Sequence, residues 1–266
     1  MATSALEATT SDTPTPAPSG PAIWVVLPTY NEAENIEDTT RRILAGVPDA
    51  RVLIVDDASP DGTGLIADTL AAANPRIEVL HRKAKDGLGR AYLAGFAAVL
   101  ERGADVVIQM DADGSHDPAA LWPLLVPVAA GRADLVIGSR YVEGSRILDW
   151  GLGRRLISRG GGLYARMVLG LPIHDLTGGF KAWRGTTLAA IDRAGIHAGG
   201  YVFQIEMTAR AFDAGARVVE VPIVFRDRRF GTSKMSAKIV REAFLLVLRL
   251  GVDRRTHRHP TRASVP

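Results

Sequence analysis

Short, mostly apolar runs rich in β-branched residues recur along the first half of this chain, each followed by a stretch whose apolar residues stand three and four apart. No other feature limits the fold as much. The runs Ala22–Leu27, Arg51–Asp56, Ile77–Leu80, Asp105–Met110 and Asp134–Gly138 have the length and near-continuous apolar character of strands covered on both faces. The intervening stretches 33–45, 62–73, 88–102 and 118–130 carry the helical spacing. Alternation of this kind predicts an α/β fold, a mostly parallel sheet with helices on both faces. With 266 residues, 47% of them hydrophobic, the chain can bury one sizeable core.

The rest of the chain reads differently. Residues 1–21 hold Pro14, Pro16, Pro18 and Pro21 among Ser, Thr and Ala, and their charges are Glu7 and Asp12 alone. Such a segment cannot bury enough apolar surface to offset its ordering entropy, so a disordered leader is expected there. Past residue 140 the regularity loosens. Tyr141–Gly153 reads as a loop, 154–169 and 203–214 as helices, and Arg217–Phe225 as a strand whose Pro222 suits a sheet edge. Ala237–Leu250 reads as a helix. The expected division is a leader 1–21, one domain over 22–236, an apolar helix 237–252 and a basic tail 253–266.

Composition removes several classes of protein. The absence of cysteine excludes a disulfide framework, a thiolate metal site and a cysteine nucleophile, and fits a reducing cytoplasm. A net charge of +3 suits a phosphorylated substrate or an anionic membrane surface, but is too small to argue for nucleic acid as a partner. No run approaches the ~18–20 apolar residues of a membrane-spanning helix. The first residues lack the basic start and apolar stretch of a secretory signal.

Chemistry is expected beyond the carboxyl ends of the strands, where open parallel sheets bind ligands. Three polar clusters fall there: Pro28–Glu32, Asp56–Gly62 and Asp111-Ala112-Asp113. Carboxylates gathered at one edge repel unless cations or donors join them, and a hard divalent ion with oxygen ligands is an economical remedy. Taken singly, Asp111-x-Asp113 either faces a metal or caps the next helix. Asp57 and Asp61, in good turn and N-cap sequence, carry the same ambiguity. The coincidence of three acidic strand ends favours function. A P-loop is absent, and the Gly87-x-Gly89 pair lacks the third glycine of a dinucleotide fingerprint, since Tyr92 stands there. A later basic set comprises Arg140, Arg154, Arg155, Arg226, Arg228, Arg229 and Lys234, and Arg228–Lys234 combines donors with Gly231 as a phosphate clamp requires. His116 reads more readily as a hydrogen-bonded loop residue than as a ligand.

Leu27-Pro-Thr-Tyr-Asn-Glu32, Val55-Asp-Asp-Ala-Ser-Pro-Asp-Gly-Thr63, Met110-Asp-Ala-Asp-Gly-Ser-His116 and Gly138-Ser-Arg-Tyr141 together resemble glycosyltransferase family two. Asp175–Phe180, Gly200–Met207 and Phe225–Met235 resemble its dolichol-phosphate mannose synthase branch, so that the likeness runs in order over about residues 22–245. The resemblance implies a GT-A (Rossmann-like) fold, GDP-mannose as donor, a polyprenyl monophosphate in the membrane as acceptor, Mg²⁺ or Mn²⁺ as cofactor, and inversion at the anomeric carbon. Carried over by position, it implies that Pro28, Tyr30, Glu32, Val55 and Asp57 bind the guanosine. Asp111, Ala112 and Asp113 would meet ribose, diphosphate and metal, with the two aspartates as metal ligands. Arg140, Arg228 and Lys234 would contact phosphates, and Arg154 and Ser158 would lie near the acceptor phosphate. Asp111, Asp113 and Arg228 are the expected catalytic residues. Some relatives place a Gln metal ligand where this chain has Ser115, whose hydroxyl is shorter and weaker.

A lipid monophosphate is already largely ionised at neutral pH, its second pKa being about 6 by analogy with phosphoserine. Such an acceptor needs positioning and leaving-group stabilisation more than a base, so no catalytic base is assigned. To reach the lipid, the apolar Ala243–Leu248 segment with the arginines after it either lies at a membrane surface or packs on the catalytic domain. The expected location is cytoplasmic, peripheral on the inner face of the cell membrane, with a separate membrane-anchoring protein as a candidate partner. Three rivals stand beside this reading: a UDP-glucose-dependent polyprenyl-phosphate glucosyltransferase, a sugar-phosphate nucleotidyltransferase, and a non-catalytic nucleotide-sugar-binding module. The nucleotidyltransferase is disfavoured because Pro28–Glu32 occupies the place of its Gly-rich basic loop.

Overall fold

The computed structural model describes residues 20–193, 195–196, 200–227 and 237–256, with the backbone alone at 201 and 237–242. Most of the expected leader, the Arg228–Lys234 loop and the tail from 257 onward lie outside the described residues.

In the first half, β1 (Ile23–Thr29), β2 (Ala50–Asp56), β3 (Ile77–His81), β4 (Val106–Gln109) and β5 (Leu135–Ser139) alternate with α1 (Ile36–Gly46), α2 (Thr63–Ala73), α3 (Leu88–Glu101) and α4 (Leu121–Ala129). The second half adds β6 (Arg146–Ile147), α5 (Leu152–Leu169), β7 (Lys181–Arg184), α6 (Gly185–Ala190), α7 (Gly200–Asp213), β8 (Val218–Pro222), β9 (Val224–Phe225) and α8 (Ala237–Thr256). Seven strands form one sheet in the order β3-β2-β1-β4-β7-β5-β8. The β1–β2, β2–β3, β1–β4 and β5–β8 pairs are parallel, whereas β7 runs antiparallel to both its neighbours.

Every residue of β1 is buried, because alternate side chains feed two cores. Trp24 and Val26 join Phe96, Phe203 and Trp183 on the side covered by α3, α5, α6, α7 and α8. Val25 and Leu27 join Ile36, Ile43 and Leu124 on the side of α1, α2 and α4. Gly95 lets α3 approach the sheet closely, since a Cβ there would stand 2.4 Å from a methyl of Val26.

Three differences from the sequence reading bear on the site. The strand β7, which the sequence did not announce, separates β4 from β5. The loop expected over Tyr141–Gly153 holds the short β6, and the expected strand Arg217–Phe225 breaks at Ile223 into β8 on the main sheet and β9 paired with β6. Pro222 does sit on the edge strand, where its missing N–H costs no ladder bond. Helix α8 runs on to Thr256, past the expected start of the tail, because Arg254 and Arg255 reach the carbonyls of Leu169 and Val168 on α5. It buries Val247 and leaves Phe244, Leu245, Leu248 and Val252 exposed, so it packs on the domain by one face and offers an apolar face outward. Among the described residues no helix is long and apolar enough to cross a membrane.

Candidate active site

The carboxyl ends of the parallel β1, β2 and β4 and the amino end of the antiparallel β7 open at one edge of the sheet. Between β1 and β4 the strand order reverses direction, which leaves a crevice where doubly wound sheets take their ligands.

On the β1–β2 side, the carboxylates are held by their own loops. Asp56 is buried and accepts from the hydroxyls of Thr29 and Ser59 at 3.1 and 2.6 Å. Asp61 accepts from the Thr63 hydroxyl at 2.6 Å and from the backbone N–H of Thr63 and Ala33 at 3.1 Å each. Burial pushes the Asp61 carboxyl upward, but these donors outweigh it and hold the pKa below the ordinary value. Asp57 accepts from Arg82 at 2.5 Å. Asn31 and Ala58 take left-handed backbone at φ of 60° and 55° in the two loops. Asn tolerates that region, whereas an alanine there is strained, and such strain gathers at ligand-binding turns. Of the other residues expected at the nucleoside, Pro28 and Val55 are register partners in β1 and β2. Tyr30 carries the Lys85 ammonium 3.5 Å from its ring centre, and Glu32 accepts from Asn35 at 2.8 Å.

The β4 side is more open. Asp111, partly exposed, accepts from the Tyr92 hydroxyl at 2.6 Å, and its own N–H donates to His116 Nδ1 at 3.1 Å. Burial, Asp111 and Asp113 together raise the Tyr92 pKa well above its ordinary value, so the phenol keeps its proton and donates. His116 is buried and stacked on Phe180, its ring centre 4.9 Å away. Burial lowers its pKa despite the two nearby carboxylates, and its Nδ1 is occupied as an acceptor. Asp113 accepts from the Ser115 N–H at 3.0 Å. At Gly179 a Cβ would stand 3.3 Å from Asp111 Oδ2, so the absence of a side chain keeps that oxygen open. Among the described residues no group of three or more His, Asp or Glu side chains converges. Two carboxylates one residue apart at a strand end, Asp111 partly exposed and Asp113 buried, fit a hard cation that takes the rest of its ligands from substrate phosphates and water, as Mg²⁺ sites do.

Beyond β7 lies an arrangement that the sequence reading did not describe. Asp175, fully buried, receives Arg140 in a bidentate fork at 2.7 and 2.8 Å and also the Arg140 backbone N–H at 2.9 Å. Burial would raise its pKa, but the guanidinium holds it below the ordinary carboxylate value. Glu220 on β8 accepts from the backbone N–H of His174 and Asp175 and so fixes that turn. Lys181 is wholly buried and donates to the Gln204 carbonyl, the Gln204 side chain and the Thr208 hydroxyl at 2.9–3.1 Å. Burial brings its pKa down to about 7. A lone lysine in a strand gives no sequence signal of burial, whereas Asp175 stood in a recognised motif without an assigned role. Arg140, expected at a phosphate, thus has its fork on Asp175. Arg154 and Ser158 lie on the inner side of α5, bound to Asp227 and to the Tyr141 hydroxyl at 2.6 Å each. Arg228 and Lys234 fall outside the described residues.

The family model Glycosyl transferase family 2 matches residues 24–188. The chain is 52% identical to an undecaprenyl-phosphate mannosyltransferase of Micrococcus luteus, over 88% of this chain and 95% of that one. It is 48% identical to a polyprenol monophosphomannose synthase of Mycolicibacterium smegmatis, over 88% of each. Among solved structures, glucosyl-3-phosphoglycerate synthase of Mycobacterium tuberculosis with Mn²⁺, UDP-glucose and phosphoglyceric acid superposes with a TM-score of 0.66 at 23% identity, covering 88% of this chain and 80% of that one. A mannosyltransferase of Pyrobaculum calidifontis in complex with GDP-Man and Mn²⁺ gives 0.56 at 20% identity, covering 88% and 65%. The chain belongs to glycosyltransferase family 2, and its fold is GT-A.

Proposed function

We propose that this chain transfers mannose from GDP-mannose to a polyprenyl monophosphate, with inversion, to give polyprenyl-phosphate-mannose. The observation that supports the reading is the run of ring contacts from Arg154 through Trp150, Phe225 and His116 to the Asp111 N–H, in a chain so similar to two lipid-phosphate mannosyltransferases. Pro28, Tyr30, Glu32, Val55 and Asp57 are assigned to the guanosine, Asp111 to Asp113 to ribose and diphosphate. Arg228 and Lys234 are assigned to phosphates on the same family likeness.

The residues divide the work simply. An oxygen of the acceptor phosphate forms a bond to the anomeric carbon as the bond from that carbon to the GDP oxygen breaks, and GDP departs with the electron pair. The acceptor is already anionic, so the site need only align it and exclude water. Asp111 and Asp113 would hold a divalent ion, Mg²⁺ or Mn²⁺, which when bound neutralises charge on the departing diphosphate. Tyr92 and Gly179 keep Asp111 oriented with one oxygen engaged and the other open.

The lipid is met at a membrane surface. The outermost stripe of α5 is Leu152, Leu156, Leu163 and Met167, all exposed, and the face turned inward carries Arg154, Ser158, Ala165 and Leu169. Arg155 and Arg159 border the stripe, α5 contains no acidic residue, and α8, packed on α5, leaves Leu245, Leu248 and Val252 exposed as well. An apolar stripe with an arginine rim suits the interface of an anionic bilayer, and supports a peripheral enzyme on the cytoplasmic face.

The test is steady-state transfer with GDP-mannose and UDP-glucose side by side on a short-chain polyprenyl phosphate. Transfer of mannose dependent on Mg²⁺ or Mn²⁺ is expected. Preference for UDP-glucose would turn the reading to a glucosyltransferase, and absence of turnover with either would leave a binding module.

A further inference from the structure

The loop between β6 and α5 sends one aromatic side chain inward. Asp149 takes left-handed backbone at φ 63°, and Trp150 beside it is 9% exposed. The indole Nε1 of Trp150 is buried and, among the described residues, has no hydrogen-bond partner. A buried N–H left unpaired costs roughly 1–3 kcal/mol, so native structures seldom keep one without a reason. The other such atom among the described residues is the Thr40 hydroxyl, whose proton can rotate. An indole N–H is fixed in the ring plane and points one way.

Its surroundings are cationic and aromatic. The Arg154 guanidinium lies 4.3 Å from the Trp150 ring centre and that of Arg140 lies 5.7 Å away. Phe225 meets the indole edge-on at 5.3 Å, and His116, which receives the Asp111 N–H, meets Phe225 at 5.9 Å. Trp150 therefore stands two rings from the candidate metal-binding carboxylates, at the inner face of α5. Among the described residues Arg154 donates to Asp227 through one nitrogen, and the guanidinium has further N–H donors that a ligand could take. A fixed N–H on a ring that carries a guanidinium over its face matches an anionic oxygen, which takes several donors at once.

We propose that the Trp150 indole N–H donates to the phosphate monoester of the acceptor, forming with Arg154 a phosphate receptor on the inner side of α5. This rests on the reading that the acceptor is a polyprenyl monophosphate. Trp150 acts twice, as a platform under the Arg154 guanidinium and as a donor in its own right. Neither role has a sequence signature, since a single tryptophan in a loop reads as packing.

The experiment compares the wild type with Trp150→Phe, which keeps an aromatic platform and removes the N–H. The acceptor KM of a short-chain polyprenyl phosphate should rise about tenfold, the scale of one hydrogen bond to a charged group. The GDP-mannose KM should stay within twofold, and thermal stability should hold or rise, because an orphaned donor has been removed. Inorganic phosphate, used as a competitor of the acceptor, should inhibit the variant more weakly than the wild type if the headgroup alone is read. Unchanged inhibition by phosphate with a raised acceptor KM supports recognition of the esterified headgroup. An unchanged acceptor KM overturns the proposal, as does a raised GDP-mannose KM alone. Should the variant fail to fold, the assigned Trp150 indole resonance of the wild type decides: a downfield shift on adding the prenyl phosphate supports the donor role, and no shift overturns it. A wild type that transfers to no prenyl phosphate fails the functional reading instead, before any variant is compared.

Discussion

The two flanks of the sheet edge handle charge in opposite ways. On the β1–β2 flank, Asp56, Asp57 and Asp61 are consumed by Ser59, Arg82 and Thr63, each within one or two loops of its partner. On the β4–β7–β5 flank Arg140 is paired internally with Asp175, while Gly179 leaves space beside an Asp111 oxygen and the buried Trp150 N–H has no partner among the described residues. Carboxylates at three neighbouring strand ends are thus unequal. The first flank satisfies its own carboxylates within its loops, as suits the nucleoside rim proposed for it, and the second is the flank proposed for diphosphate, metal and acceptor.

Asp113→Ala attacks the open flank directly and should have the largest effect. Metal-dependent transfer should fall below a hundredth of wild type at saturating Mg²⁺ while the folded yield is kept, because losing one of two adjacent carboxylates relieves repulsion; retention of a tenth of the activity would remove Asp113 as a principal ligand. Next comes Asp175→Ala, which strands Arg140 in a buried site and should cost about 3–5 kcal/mol in denaturant unfolding. A loss under 1 kcal/mol would mean that Arg140 finds another partner or reaches solvent. Leu156→Glu probes the outward face of α5 without entering the site. It should reduce co-sedimentation with anionic vesicles severalfold and leave the melting temperature in place, whereas equal binding would exclude that stripe from the membrane contact. The smallest change belongs to the self-satisfied flank: Asp61→Ala should cost about 1 kcal/mol, the scale of a lost cap, with kcat at saturating donor kept within twofold. A collapse of kcat there would erase the contrast between the flanks.

Local pattern carried much of this molecule. The strands β1 to β5 and the helices between them were legible because each repeats a period, and their parallel order placed Asp111 and Asp113 at the ligand edge. The motif resemblance supplied a family that the comparisons bear out. What escaped the sequence shares one physical cause, partnership across long stretches of chain. Nothing local in Lys181–Arg184 says that this strand enters the sheet backwards, yet its reversal sets Gly179 beside Asp111. Arg140 is expected at a phosphate from the sequence, and only the fold shows its guanidinium fork on Asp175, 35 residues on. Lys181 is made an interior group by Gln204 and Thr208 on a helix that follows it.

The sequence by itself determined the α/β alternation, the acidic strand ends and the apolar character of α8, because periodicity, turn chemistry and burial preference act over a few neighbouring residues. Only the tertiary structure decided which of those acids remain open, which arginine is internal, and that the indole of Trp150 is buried without a partner. Those properties depend on what lies a few ångströms away in space, and the elements concerned are neighbours there only because β7 stands between β4 and β5 and α5 packs over the sheet.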